Sequence, residues 1–163
     1  MRWKQIEEFP FYQVSDTGLV RNLITGIIIT PSSNGHGITK VTLRKDGETI
    51  TRTVPRLVGE AFVEDYEEGD VIFHIDDDKS NADYQNLLWK PRWFAQEWSY
   101  QLKRDKPMRS WAIKMIAIGR RDETIYPDSL TCAMATFGIE KYIVLACGRG
   151  SLYNRATYEW VRD

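Results

Sequence analysis

The stretch GITKVTLRKDGETITRTV, residues 37–54, constrains the fold more than any other. Ile38, Val41 and Leu43 lead into Asp46-Gly47, a pair that tolerates the positive φ of a tight turn, and Thr-rich β residues follow. This pattern predicts two antiparallel strands closed by a short hairpin loop. The residues before it carry more β signals. YQVSDTGLVRN alternates apolar and polar positions around an Asp-Thr-Gly turn, and GIIIT is short and β-branched. Residues 1–53 therefore form a β-rich N-terminal module.

A second segment, residues 54–102, changes period. Pro55 suits the first turn of a helix, and Leu57, Val58, Ala61 and Phe62 share one face at helical spacing. VIFHI and LLW read as short strands on either side of the polar loop DDDKSNADYQN. A second helix is expected from Pro91 through Leu102. The acidic connection EDYEEGD reads as solvated chain.

The third segment, residues 103–163, opens with the basic linker KRDKPMR, then a strand WAIKMIAI and a turn GRRDE. Asp128 or Ser129 is a helix N-cap candidate, and Leu130, Ala133, Met134 and Phe137 follow at i, i+3, i+4 and i+7. Gly138 is expected to end that helix at positive φ. Ile139, Ile143 and Cys147 mark a second helix, closed by Gly148. Two short helices joined at a glycine have the outline of a helix-turn-helix.

Composition narrows the function classes. The 163 residues are 42% hydrophobic and include 6 Trp, which is enough to build a core. No apolar run approaches the roughly 20 residues that span a bilayer, and the N-terminus lacks a signal-peptide core. A cytoplasmic protein with no membrane partner is expected. Cys132 and Cys147 lack metal-ligand spacing and are expected to fill core positions as free thiols. The net charge of −1 hides an asymmetry. Residues 1–89 carry 9 Lys and Arg against 15 Asp and Glu, whereas residues 90–163 carry 13 against 8. Nucleic-acid affinity is therefore expected towards the C-terminus.

Three stretches in a fixed order resemble the phage-type HNH homing endonucleases. WKQIEEFPFYQVSDTGLVRN is similar to their N-terminal motif at Trp3, Lys4, Ile6, Tyr12, Val14, Ser15, Gly18, Val20, Arg21 and Asn22. RLVGEAF with FHIDDDKSNADYQNLLW resembles the nuclease core, and YPDSLTCAMATFGIEKYIVLACGRG…YEW resembles the DNA-binding tail. The resemblance implies an α+β fold. It would comprise a ββα-metal (HNH) core, a preceding β-rich segment and a following helix-turn-helix-like module. It also implies a strand-end histidine as general base and one divalent ion at the scissile phosphate.

Carried over residue by residue, His74 matches the general base and Asn86 the asparagine that orients it. The two ligand positions fall on Phe73 and Ala95, the latter six residues beyond Trp89. Pro55 stands at another family histidine, Asp77 at the loop glycine and Ala82 at the second Asn of an Asn-Asn pair. No metal ligand is therefore assigned. Asp76, Asp77 and Asp78 are hard oxygen donors nearby, and Gln96 or Glu97 would reach the site only if the helix shifted, since successive helical residues point about 100° apart. His36, the other histidine, reads as a loop residue.

For DNA contact, Lys103, Arg104, Lys106 and Arg109 match the family segment that follows the minor groove. Lys141, Tyr142, Arg149, Tyr153, Asn154 and Arg155 lie in and beyond the second helix of the tail. Arg21 and Asn22 complete the set. The sequence thus points to a monomeric double-stranded-DNA-binding protein in an infected bacterial host. The resemblance implies descent from an HNH homing endonuclease, with cleavage expected to be impaired or lost and no cofactor expected. Two alternatives stand beside it. One is an active nickase using Mg2+ or Mn2+. The other is an interaction protein that binds a host or phage protein complex through its acidic front half.

Overall fold

The computed structural model describes residues 1–120 and 122–161. Packing divides the chain into two units, Met1–Ala95 and Gln96–Asp163.

In the first unit, β1 (Trp3–Ile6), β2 (Phe9–Ser15), β3 (Val20–Asn22) and β4 (Ile28–Ile29) form an antiparallel meander in sequence order. The turn between β2 and β3 needs Gly18, whose φ is +86°. A second sheet joins β5 (Ser32–Ser33), β6 (Thr39–Lys45) and β7 (Glu48–Thr53). Asp46 and Gly47 close β6 onto β7 with φ of 51° and 84°, the left-handed pair that a two-residue hairpin demands. His36 lies exposed in the loop before β6.

The helix α1 (Val54–Phe62) follows β7 directly. Its N-cap Thr53 makes no side-chain cap, but Pro55 sits in the first turn, where its missing N–H is not needed. Then come β8 (Asp70–His74), a 3-10 turn (Tyr84–Asn86) and β9 (Leu87–Pro91), with Phe73 opposite Leu88 and His74 opposite Leu87. α1 lies so close to this hairpin that a Cβ on Gly59 would stand 2.7 Å from Ile72 Cδ1 and 2.9 Å from Trp89 Cζ2. The core combines Phe9, Val14 and Val20 with Leu43, Leu57, Val58 and Leu87. The next helix, α2 (Arg92–Leu102), contains the division between the units.

The second unit contains β10 (Ile113–Ala117), β11 (Glu123–Tyr126), α3 (Ser129–Ala135), α4 (Glu140–Arg149), β12 (Leu152–Tyr153) and β13 (Ala156–Trp160). Its four strands form one antiparallel sheet in the order β11-β10-β13-β12. Of these, only the β10 strand was expected. Arg121, within the expected GRRDE turn, lies outside the described residues, as do Arg162 and Asp163. Ile113, Cys132, Ala133, Ile143 and Tyr158 form this unit's core. No single helix among the described residues is long and apolar enough to cross a membrane.

Both helix endings differ from expectation. α3 stops at Ala135, and the left-handed residue is Phe137 (φ 50°), not Gly138. Gly138 N–H donates to Ala133 O at 2.9 Å and Phe137 N–H to Met134 O at 3.5 Å, a Schellman pattern displaced one residue from the glycine. The Phe137 ring stacks on Trp98 at 6.0 Å, an aromatic contact that opposes the backbone strain. Gly138 is needed for space instead, since a Cβ there would meet Ile143 Cδ1 at 3.1 Å and Tyr153 Cε1 at 3.3 Å. Likewise α4 runs past Gly148 and is closed by Gly150 at φ 62°.

Candidate functional site

β8 delivers His74 to the mouth of the loop 75–86. The residue is 4% exposed, and Nε2 is buried without a hydrogen-bond partner. Burial is the main reason that its pKa lies below 6.5; Lys79 adds to the effect, and Asp76, Asp77 and Asp78 oppose it. The imidazole is therefore neutral at pH 7, the state a general base requires.

The residue before it has the opposite task. Side chains alternate along a strand, and Phe73 is 5% exposed with its ring 5.7 Å from that of Phe94 on α2. The position is thus filled by core packing and offers no oxygen. Ala95 ends in a methyl group. Among the described residues, no group of three or more His, Cys, Asp or Glu side chains could hold a metal ion.

The loop acids are turned on one another's neighbours. Asp76 Oδ1 accepts from Asp78 N–H at 2.9 Å and Asn86 Nδ2 at 2.8 Å, and Oδ2 accepts from Asn81 Nδ2 at 2.8 Å. Burial pushes the Asp76 carboxyl up, but these hydrogen bonds outweigh it and hold the pKa below the usual range. Asp78 accepts from the Ser80 hydroxyl and N–H, which likewise lower its pKa. Asp77 stands 2.7 Å from Lys79 Nζ. Its φ of 61° lies in the left-handed region, which Asp is among the few side chains to visit.

Asn86 binds the loop at both ends of its amide. Oδ1 accepts from Asp76 N–H at 3.1 Å, while Nδ2 reaches Asp76 Oδ1 and Asn81 O. Asp76 and Asn86 are thus oriented by contacts inside the loop, and among the described residues no set of three His, Cys, Asp or Glu side chains converges as a hard cation would require.

The N-terminal sheet supports this loop from behind. Tyr84 N–H donates to Asp16 O at 2.8 Å, and Arg2 lies 4.7 Å over the Tyr84 ring. A Cβ on Gly18 would come within 2.9 Å of Ala82 Cβ. A small residue at 82 is what lets the β2–β3 turn close against the loop.

The basic candidates fall into distinct settings. Arg21 lies 4.2 Å over Trp3 and donates twice to Gln13 Oε1, while Asn22 Oδ1 receives the N–H groups of Ile24 and Thr25. Lys106, Arg109, Arg149 and Arg155 are exposed, as is Lys103. Lys141 is 3.9 Å from Glu97, and the Tyr142 ring lies 5.7 Å from that of Tyr153. Asn154 and Arg155, both at positive φ, form the turn between β12 and β13. Asn154 Nδ2 donates to Thr136 O at 3.0 Å. Arg104 is only half-exposed and stands 2.6 Å from Glu140.

Glu140 went unnoticed in the sequence. It is 1% exposed and accepts from Arg104, from Met108 N–H at 2.5 Å and from the Ser129 hydroxyl at 2.5 Å. No sequence signal distinguishes it, because its partners lie 11 to 36 residues away. The start of α4 shows the same economy. Ile139 has no side-chain oxygen to cap it, so its N–H goes to Tyr153 OH at 2.8 Å and that of Glu140 to Gln101 Oε1 at 2.7 Å. The two cysteines are free; burial pushes Cys132 up to about 12 and Cys147 up to about 11.

Comparison with known proteins gives one consistent relationship. Residues 1–44 match the NUMOD4 motif. The chain is 39% identical over 90 residues to the DNA endonuclease I-HmuI of Bacillus phage SP01, a stretch covering 55% of this chain and 52% of that one. It is 33% identical over 88 residues to an uncharacterized HNH endonuclease of Acanthamoeba polyphaga mimivirus, covering 54% of this chain and 26% of the relative. The sequence match thus spans about half the length of I-HmuI. A solved structure titled "DNA binding and cleavage by the HNH homing endonuclease I-HmuI" is similar with a TM-score of 0.59 and 25% identity, covering 100% of this chain and 99% of that one.

Proposed function

The chain is a relative of the phage HNH homing endonucleases, and from that premise we propose that it binds double-stranded DNA through a nuclease-derived scaffold that no longer cuts. The observation that carries this reading is Phe73, packed on Phe94 where the family places a metal ligand. The committed loop carboxylates and the methyl group of Ala95 support it. The exposed cations Lys106, Arg109, Arg149 and Arg155 supply sequence-independent attraction to phosphate, to which Lys103, Lys141 and Tyr142 add. The 114° bend between α3 and α4 falls in the range of about 90–120° for helix-turn-helix pairs, which favours that use of the tail. The active species is a monomer in the host cytoplasm.

A second reading, a working nickase that needs Mg2+ or Mn2+, is favoured by His74 alone. Its neutral ring has a nitrogen without a partner, available to take a proton from water. Nicking of supercoiled DNA with Mg2+ or Mn2+, run beside His74→Ala, decides between the two. The expected result is duplex binding without nicking; metal-dependent nicking that His74→Ala abolishes overturns the first reading.

A further inference from the structure

We propose that Glu140 and Arg104 are positioning residues that hold the basic segment 103–109 in the shape in which Lys106 and Arg109 meet DNA, and that Arg104 itself makes no phosphate contact. This rests on the DNA-binding reading above.

The geometry is that of a tie with two strands. In one, Glu140 Oε2 takes Arg104 Nη1 at 2.6 Å, and the other end of that guanidinium donates to Lys106 O at 2.9 Å. The second strand runs through Glu140 Oε1, which receives Met108 N–H and the Ser129 hydroxyl, while Ser129 Oγ accepts Arg109 N–H at 2.9 Å. Ser129 N–H also donates to Arg109 O at 3.1 Å. The backbone is therefore held at residues 106, 108 and 109. Each anchor precedes or carries an exposed cationic side chain.

A surface segment of seven residues would otherwise lose backbone conformational entropy on binding. Ordering it in advance removes part of that cost. Glu140 sits in the first turn of α4, where the helix dipole favours its negative charge. Arg104 suits its role because a planar guanidinium can serve a carboxylate and a carbonyl together, which an ammonium does less well.

The proposal makes a prediction opposite in sign to simple charge counting. Glu140→Gln removes a negative charge, so bulk electrostatics alone would tighten DNA binding. Loss of the tie should weaken it. The test uses the full chain and a fluorescent 30-base-pair duplex of random sequence, titrated across salt concentrations.

The expected result for Glu140→Gln and Arg104→Gln is weaker binding and a shallower salt dependence. The log–log slope should fall by up to about 1.8, the share of two phosphate contacts, rather than by about 0.9 for one. Arg104→Lys should recover part of the affinity. Adding Lys106→Ala and Arg109→Ala to Arg104→Gln should change binding little further. Glu140→Gln binding at least as tightly as the parent overturns the proposal, as does an additive effect of the added substitutions.

If the parent fails to bind duplex at low salt, the DNA-binding reading falls. The tie is then read by amide exchange, with Met108 and Arg109 expected to be protected in the parent and exposed in Glu140→Ala, which removes the acceptor of Met108 N–H and the anchor of Ser129. Unchanged exchange overturns it. Arg104→Gln also serves if Glu140→Gln does not fold.

Discussion

Two carboxylate arrangements, one in each unit, work in opposite ways. In the first, Asp76, Asp77 and Asp78 form a dense acidic run whose hydrogen bonds to Asp78 N–H, Lys79, Ser80, Asn81 and Asn86 span only 2 to 10 residues within one loop. In the second, the buried carboxylate of Glu140 joins segments up to 36 residues apart. The dense cluster shapes its own turn; the buried residue organises a region. Acid density in a sequence is therefore a poor guide to where charge has a structural consequence.

The largest expected effect separates these two cases. Glu140→Ala strands Arg104, Ser129 and the Met108 N–H, and should cost about 2–4 kcal/mol in urea unfolding, below the upper end for buried pairs because Arg104 retains some solvent. Asp78→Ala, which removes an exposed loop bond, should cost under about 1 kcal/mol. Equal costs would erase the distinction.

Next in size is the close-packed glycine of α1. Gly59→Ala would normally raise helix propensity, but the added Cβ meets Ile72 at 2.7 Å and Trp89 at 2.9 Å. A loss of about 1–3 kcal/mol is expected from overpacking, offset by less than about 1 kcal/mol of propensity. A stabilised Gly59→Ala would mean that α1 rides freely over the β8–β9 hairpin.

A smaller effect comes from His74. Its folded pKa is lowered, so the unfolded chain binds the proton first as pH falls. Stability is fully present above about pH 6.5 and is lost on going below it towards the folded value. The melting temperature should fall between pH 7.5 and 5.5, and His74→Gln should flatten that dependence. The depressed pKa values of Asp76 and Asp78 act only at lower pH, so their contribution is lost in a separate acid window. An unchanged slope in His74→Gln would contradict a buried neutral imidazole.

The smallest expected effect is chemical silence. With thiols raised to about 11 and 12, Cys147 and Cys132 should resist a thiol reagent at pH 8 until the chain is unfolded. Rapid labelling of the native protein would show that the second unit opens more readily than its packing indicates.

Much of the first unit was legible because its signals are local. Asp46-Gly47 announces its hairpin, Pro55 its helix start, and the interrupted apolar runs around 71–89 their two strands. In the second unit the helices were legible but their stops were not. Gly138 looked like the left-handed residue, yet steric crowding by Ile143 and Tyr153 decided its identity, and Phe137 took the strained backbone. The strands β11 and β12 escaped notice because they are short, and β13, as long as β10, because pairing rather than pattern defines it. At the candidate site, the alternation of Phe73 and His74 could be read from sequence. The hydrogen bonds that occupy Asn86 and the loop acids could not, since they depend on where a turn brings its donors.

The near-contact of Gly18 with Ala82 bears on inheritance. The first 44 residues are recognisable on their own and look portable, like a cassette. Yet their β2–β3 turn forms the wall against which residues 82 and 84 rest. Exchanging that cassette between relatives would succeed only where donor and recipient agree on the size of both facing residues. The apparent boundary between motif and nuclease-like core is thus a seam in recognition, while selection must read across it as a single surface.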